Sequence, residues 1–158
     1  MMDEILEDLE YYVKERQGQV IVRKLPILKD VSRTQMHQLF QNLISNGIKF
    51  KKEDVDPVVI VKHKVVDAAS INQEDFETIH SNYHEFVIKD NGIGFDEKYL
   101  DKVFTIFQRL HDRSTFSGSG IGLAMCKRIC ENHGGFLTAK SKPEQGSKFF
   151  IYLPVKDK

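Results

Sequence analysis

The chain has 158 residues, with 23 Lys and Arg against 23 Asp and Glu, 41% hydrophobic residues and two cysteines, a length and composition suited to one domain with one core. A formal charge of zero excludes a general polyanion binder, because such proteins carry a basic excess that replaces phosphate counterions, so no nucleic-acid partner is expected. The longest apolar-rich stretch, 58–66, is interrupted by Lys62, His63 and Lys64, no secretory signal follows Met1, and Cys126 and Cys130 cannot make a disulfide framework; a cytoplasmic chain without a membrane segment is expected.

In chain order, Ile5, Leu6, Leu9, Tyr12 and Val13 recur at helical spacing and predict a helix over 3–16, terminated by Gly18. A short strand over 20–25 follows. Ser32 or Thr34 can cap a second helix over 33–50, whose apolar stripe includes Met36, Leu39, Phe40, Leu43, Ile44 and Ile48. Beyond Pro57, the β-branched run 58–66 predicts a strand. The polar stretch 67–82 lacks periodicity and reads as a loop with a short helical turn near Phe76. A strand over 83–89 runs into Asp90-Asn91-Gly92, a strong turn signal. Residues 96–117 read as a short helix followed by an irregular, moving segment. A third long helix is expected from near Gly120 to His133, stopped by Gly134-Gly135. Strands over 136–141 and 147–153, joined by Pro143-Glu144-Gln145-Gly146, read as a hairpin. This order, with no repeat or linker, predicts an α/β sandwich with a mixed sheet.

Four groups of residues carry chemistry. Asn42, Ser45, Asn46 and Lys49 are spaced by three and four, which puts them on one helix face. Asparagine is a poor helix former, and a solvated face is normally filled with Glu, Lys and Arg. A neutral amide oxygen can bind a hard cation, and a lysine one turn later can meet a phosphate, so the stripe suits either solvent or a ligand. In Asp90-Asn91-Gly92-Ile93-Gly94-Phe95, two glycines permit close backbone approach, and a carboxylate at a strand end can accept from an exocyclic amine; an ordinary turn is the plain alternative.

Gly118-Ser119-Gly120-Ile121-Gly122-Leu123 opens a helix, where bared N–H groups and the helix dipole favour an anion over a mere hinge. It is neither a Walker A loop nor a dinucleotide fingerprint. Gln145-Gly146-Ser147-Lys148-Phe149 shows only a turn by itself. Cys126, Cys130 and His133 have metal-ligand spacing, but the cysteines extend an apolar side with Ile121, Met125 and Ile129, so burial is the expected role.

Together these segments resemble the catalytic, ATP-binding domain of sensor histidine kinases, whose fold is shared with DNA gyrase and the MutL repair proteins. Residues 38–50 resemble the N box, 90–95 the G1 box, 103–110 the F box, 118–123 the G2 box and 146–149 the closing G3 element; the run Phe107-Gln108-Arg109-Leu110-His111 is most similar to kinases attached to PAS or phytochrome-like sensors. The resemblance implies an α+β two-layer sandwich, with a mostly antiparallel sheet of about five strands covered on one face by three helices. It also implies one domain over 1–158 with a lid over about 101–121.

By this resemblance Asp90 would accept from the adenine amine, with Asn91, Gly92 and Gly94 shaping the pocket and Ser147 near the base. Asn46 would coordinate Mg²⁺ through the phosphates of ATP, with Asn42 and Lys49 at the triphosphate. Gly118, Gly120, Ile121, Gly122 and Leu123 would cradle phosphate, and Arg109, His111 and Arg113 would reach it from the lid. Gyrase-like ATPases place a glutamate where Asn42 stands; an amide has no useful basicity, so transfer to a histidine is favoured over hydrolysis.

Gly47 stands where alanine is frequent, Ser119 and Lys148 where threonine is. None of the six histidines has a phosphoacceptor's setting. The expected partners are therefore a dimerising helical hairpin that carries the phosphoacceptor and a downstream response regulator, in a parent kinase that is soluble or membrane-anchored. A non-catalytic nucleotide-binding regulatory module, degenerate or anti-sigma-like, is the alternative, with a gyrase-like ATPase less favoured.

Overall fold

The computed structural model describes residues 1–71, 76–104 and 122–156, with the backbone alone at Asp101. Helix α1 (Met2–Glu15) has Asp3 and Glu4 in its first turn and Lys14 in its last, charges that complement the helix dipole, and it buries Ile5 and Leu9. Helix α2 (Arg33–Lys49) is capped by Ser32, whose hydroxyl accepts from the Gln35 N–H at 3.2 Å. Helix α2 buries Met36, Leu39, Phe40, Leu43, Ile44 and Ile48, the stripe expected from its spacing. A short helix, α3 (Leu100–Val103), precedes α4 (Gly122–Asn132), which buries Cys126, Ile129 and Cys130. No helix among the described residues is long and apolar enough to cross a membrane.

The strands are β1 (Gln19–Val22), β2 (Val58–Asp67), β3 (Asn82–Asp90), β4 (Phe136–Ser141) and β5 (Ser147–Pro154), in the sheet order β1-β2-β3-β5-β4. Only β1 and β2 run parallel; the remaining pairs are antiparallel, so the sheet is mixed and mostly antiparallel. Val59, Val61, Phe86, Ile88, Phe149, Ile151, Leu137 and Ala139 alternate onto one face and form a single core with α1, α2 and α4. The two-layer sandwich is as expected.

Two local readings change. The first strand stops at Val22 rather than residue 25, because the chain leaves the edge before Pro26, and Leu25, Leu28 and Val31 turn back onto the core. Residues 76–80 do not form the helical turn expected around Phe76, with residues 72–75 outside the described ones; a 3₁₀ turn lies at Ala68–Ser70, and the Phe76 ring lies 5.8 Å from Tyr83 and 4.0 Å from Phe136. Helix α4 is described from Gly122, and its expected start near Gly120 lies outside the described residues.

His133 fastens two helices. Its Nε2 accepts from the Ser32 N–H at 3.0 Å, which leaves the proton on Nδ1 to donate to the Ile129 carbonyl at 2.8 Å. Both ring nitrogens are thereby engaged in structure. The Cys126 thiol reaches the Leu39 carbonyl at 3.8 Å, and burial pushes its pKa up to about 12, the behaviour of an inert, packed side chain.

Candidate nucleotide site

Helix α2 lies against the ends of β2 and β3 because position 47 has no side chain. A Cβ there would stand 2.6 Å from Val59 Cγ2 and 3.2 Å from Asp90 Cβ. Gly47 therefore sets how closely the amide-bearing helix approaches Asp90. Gly47→Ala gains about 1 kcal/mol of helix propensity but overpacks the seam by roughly 1–3 kcal/mol. The expected result is a melting temperature lower by a few degrees, with less than additive loss when Val59→Ala is combined with it; full additivity in a double-mutant cycle would refute the contact.

Asp90 ends β3 with its carboxylate mostly buried. Its Oδ1 accepts from the Gly92 N–H at 2.8 Å and the Ser147 N–H at 3.3 Å, and no hydrogen bond from the described residues reaches Oδ2. Burial raises the Asp90 pKa to about 6, against the lowering effect of those two N–H groups. One oxygen is thus held by the backbone and the other is available to a donor.

The loop after Asp90 is fastened on both sides. The Ile93 N–H donates to the Phe50 carbonyl at the end of α2, and the Glu144 N–H donates to the Ile93 carbonyl. A Cβ at Gly92 would fall 2.3 Å from Phe50 O, and one at Gly94, whose φ is +63°, 2.1 Å from Lys142 O. These glycines admit the chain's own backbone, a reason for them that the sequence reading, built on approach to a ligand, did not include. Asn91 accepts from the Val58 N–H at 2.8 Å and donates to the Asp56 carbonyl at 3.1 Å, pinning the entry to β2.

Ser141 is a residue the motif reading missed. Its hydroxyl donates to the Gly146 carbonyl at 2.9 Å, and accepts from the Phe95 N–H at 2.9 Å and the Ser147 hydroxyl at 2.8 Å. It ties the β4–β5 hairpin to the 90–95 loop and so supports both residues that flank the Asp90 carboxylate. Its signal was a hydroxyl at a core-facing position, after Leu137 and Ala139, in an alternating strand.

Asn42, Ser45, Asn46 and Lys49 all lie half-buried on one side of α2. The Ser45 hydroxyl bonds back to the Asn42 carbonyl at 3.1 Å. The Asn42 amide lies beside the Cys126 thiol, and its Oδ1 would be 3.8 Å from a Cβ at Gly122, which places the start of α4 against it. The Asn46 amide has no hydrogen-bond partner among the described residues. Lys49 Nζ stands 5.1 Å from the Phe50 ring centre, and Leu123 packs against the core.

Helix α2 thus runs along a seam about 12 Å long. Asn42 and the start of α4 lie at one end; Gly47, Asp90 and the Phe50 carbonyl lie toward the other. Of the other expected contacts, Arg109, His111, Arg113, Gly118, Gly120 and Ile121 lie outside the described residues, as does most of the expected lid. Two concavities formed by described residues, one beside Leu28 and His84 and one beside Val87 and Phe150, lie away from the seam.

A mixed sheet covered on one face by helices, with a mostly buried carboxylate and an amide-bearing helix along one seam, makes the chain an α/β sandwich with a polar seam beside its core. Residues 31–157 match the family profile described as histidine kinase-, DNA gyrase B- and HSP90-like ATPase, and the chain belongs to that family. It is similar to the phytochrome-like protein Cph1 of Synechocystis sp., 34% identical over 98% of this chain and 19% of that protein. It is also similar to cyanobacterial phytochrome A of Nostoc sp., 36% identical over 98% of this chain and 18% of that protein. The chain spans about a fifth of the length of these curated relatives.

Among solved structures, the catalytic domain of histidine kinase ThkA superposes with a TM-score of 0.69 at 18% identity, covering 96% of this chain and 90% of that one. Full-length ShkA in complex with AMPPNP superposes with a TM-score of 0.68 at 20% identity, covering 96% of this chain and 28% of that one. These two likenesses establish the fold. The family is that of the histidine kinase catalytic ATPase domains.

Proposed function

We propose that this chain binds Mg-ATP and transfers the γ-phosphoryl group to a histidine of a dimerising helical hairpin outside residues 1–158, as the catalytic step of two-component signalling. The observation that carries the reading is the Asp90 carboxylate, with Oδ1 tied to backbone and Oδ2 without a partner among the described residues, on the same seam as Asn42 and Asn46.

Asp90 Oδ2 accepts a hydrogen bond from the exocyclic amine of adenine, an acceptor that guanine, with a carbonyl at that place, would oppose. Gly92, Gly94 and Asn91 hold the loop that carries the base, and Ser147 supplies the N–H that orients Asp90. The triphosphate then extends toward Asn42, Lys49 and the α4 start at Gly122 and Leu123, with Gly118, Gly120 and Ile121 continuing the cradle and Arg109, His111 and Arg113 closing over it within a lid at about 101–121. The Asn46 amide, without a hydrogen-bond partner among the described residues, fits a hard cation, and Mg²⁺ held by it and by phosphate oxygens would offset phosphate charge.

In the transfer, the imidazole nitrogen forms the new N–P bond as the bond between the β,γ-bridging oxygen and phosphorus breaks, leaving ADP. Imidazole is itself nucleophilic, so the residues at the seam need to position and neutralise rather than deprotonate. Asn42 suits that division, since an amide does not activate water. Residues 1–158 then act as one cytoplasmic catalytic domain, with a response regulator receiving the phosphoryl group later.

Mixing the chain with a phosphoacceptor hairpin and γ-labelled ATP is expected to yield acid-labile, alkali-stable label on the hairpin. Nucleotide binding without label would support a non-catalytic module, and steady phosphate release by the chain alone would support a gyrase-like ATPase. Either result would overturn the kinase reading.

A further inference from the structure

The outer face of the sheet, opposite the helices, divides into two halves. Toward the β2–β3 turn, the chain covers itself: Phe76 packs on Tyr83 and Phe136, Phe136 stacks on Tyr152 at 4.6 Å, and the Tyr152 hydroxyl donates to Glu85, which also faces Lys64 at 3.8 Å. The half nearest Asp90 is different. There the register sets Lys89 directly opposite Lys148, and Lys148 directly opposite Lys140, a row of three exposed lysines across three adjacent strands.

The next row contains exposed Lys62 beside half-buried Val87 and Phe150. Among the described residues no carboxylate lies within ion-pair distance of Lys62, Lys89 or Lys148. Lys140 Nζ lies 5.8 Å from the Phe150 ring centre. The result is a concavity with an apolar centre at Val87 and Phe150, rimmed by lysines and closed on one side by the Lys64–Glu85 ion pair, on a chain whose total charge is zero.

A face turned only toward water would gain from alternating charges, because like charges directly opposite in neighbouring strands are destabilising. Lys148 creates both like-charged pairs, and it stands where the resemblance expects threonine. We propose that this half of the outer face docks an acidic protein segment, in which carboxylates alternate with apolar side chains: the carboxylates meet Lys62, Lys89, Lys140 and Lys148, and the apolar groups reach Val87 and Phe150. Charge complementarity selects the occupant's sign. The apolar centre selects a protein over a nucleic acid, which would offer phosphates there and would be drawn by a basic excess that this chain lacks. Val87 and Phe150 are recessed between lysines, so they cannot enter a lipid surface, whereas a partner's side chains can descend onto them.

The proposal is independent of the nucleotide reading, since Lys89 and Lys148 face away from their chain neighbours Asp90 and Ser147. The test titrates the whole chain into a fluorescent peptide of alternating glutamate and leucine, followed by anisotropy. Binding is expected to weaken with added salt and to fall at least fivefold in Lys148→Glu, a change that turns both like-charged pairs into opposite ones and so should raise the melting temperature. Lys148→Gln supplies a second variant with an intermediate loss, and a cooperative thermal transition followed by circular dichroism serves as the check of folding. Equal peptide affinity in folded Lys148→Glu overturns the proposal. So does tighter binding to single-stranded DNA or to phosphatidylserine vesicles than to the peptide, which would make the face a nucleic-acid or membrane surface.

Discussion

Asp90→Asn is expected to lower ADP affinity by about 10- to 100-fold, the loss of one hydrogen bond to a charged group, without lowering the stability of the fold. The asymmetry follows from how the two oxygens are used. In the variant, Oδ1 still accepts from Gly92 and Ser147, so the turn after β3 is retained. The other position becomes an NH₂ group and presents a donor to the donor amine of adenine. Calorimetry measures the affinity; an unchanged value would refute adenine recognition by this residue.

The stability half of the prediction has a definite sign. The folded-state pKa of Asp90, about 6, lies above its ordinary value of 3.8 because burial opposes the charge. The folded chain therefore binds this proton more tightly than the unfolded chain does. Its contribution to stability is fully present below pH 3.8 and is lost as pH rises through about 6. A neutral asparagine has no such loss. Melting temperatures of the parent should fall relative to Asp90→Asn across that window and stay below it at pH 8. If the two curves remain parallel from pH 4 to 8, the ionised carboxylate is not strained in the fold.

The second large effect is expected at Asn46. Asn46→Ala should reduce phosphohistidine formation on a separate hairpin by about 10²-fold or more, the scale for removing one preorganised electrostatic contact, while adenosine affinity remains close to that of the parent. Adenosine has no phosphates, so it reads the base end of the seam alone. Because no described residue hydrogen-bonds the Asn46 amide, the substitution should alter stability by no more than about 0.5 kcal/mol. Asn46→Asp keeps the size and adds a charge, and should also impair transfer more than base recognition. Transfer at the parental rate in Asn46→Ala would remove this residue from the phosphate end.

The order and type of the long elements were legible in the residues because each signal is local. The stripe of α2 repeats every three or four residues, and β2 and β3 are β-branched or alternating runs bounded by Pro57 and by Asp90-Asn91-Gly92. The errors occurred where a local signal met a tertiary demand. Leu25 reads as strand, yet the core takes its side chain only after the chain has left the edge. Phe76 reads as part of a helical turn, but it is recruited by the rings of Tyr83 and Phe136, which are distant in sequence.

For the candidate site, the sequence by itself determined which chemical groups are present: one carboxylate at a strand end, two amides and a lysine on one helix face, and glycines at the turns. Periodicity and turn chemistry suffice for that. Only the tertiary structure decided that Gly47 lets the helix meet Asp90, that Gly92 and Gly94 yield to the backbone of Phe50 and Lys142, and that Ser141 ties the hairpin to the loop. The row of Lys89, Lys148 and Lys140 belongs to the same class. Each depends on atoms brought within a few ångströms from separate strands and helices, and strand register, which no local pattern contains, decides which residues those are.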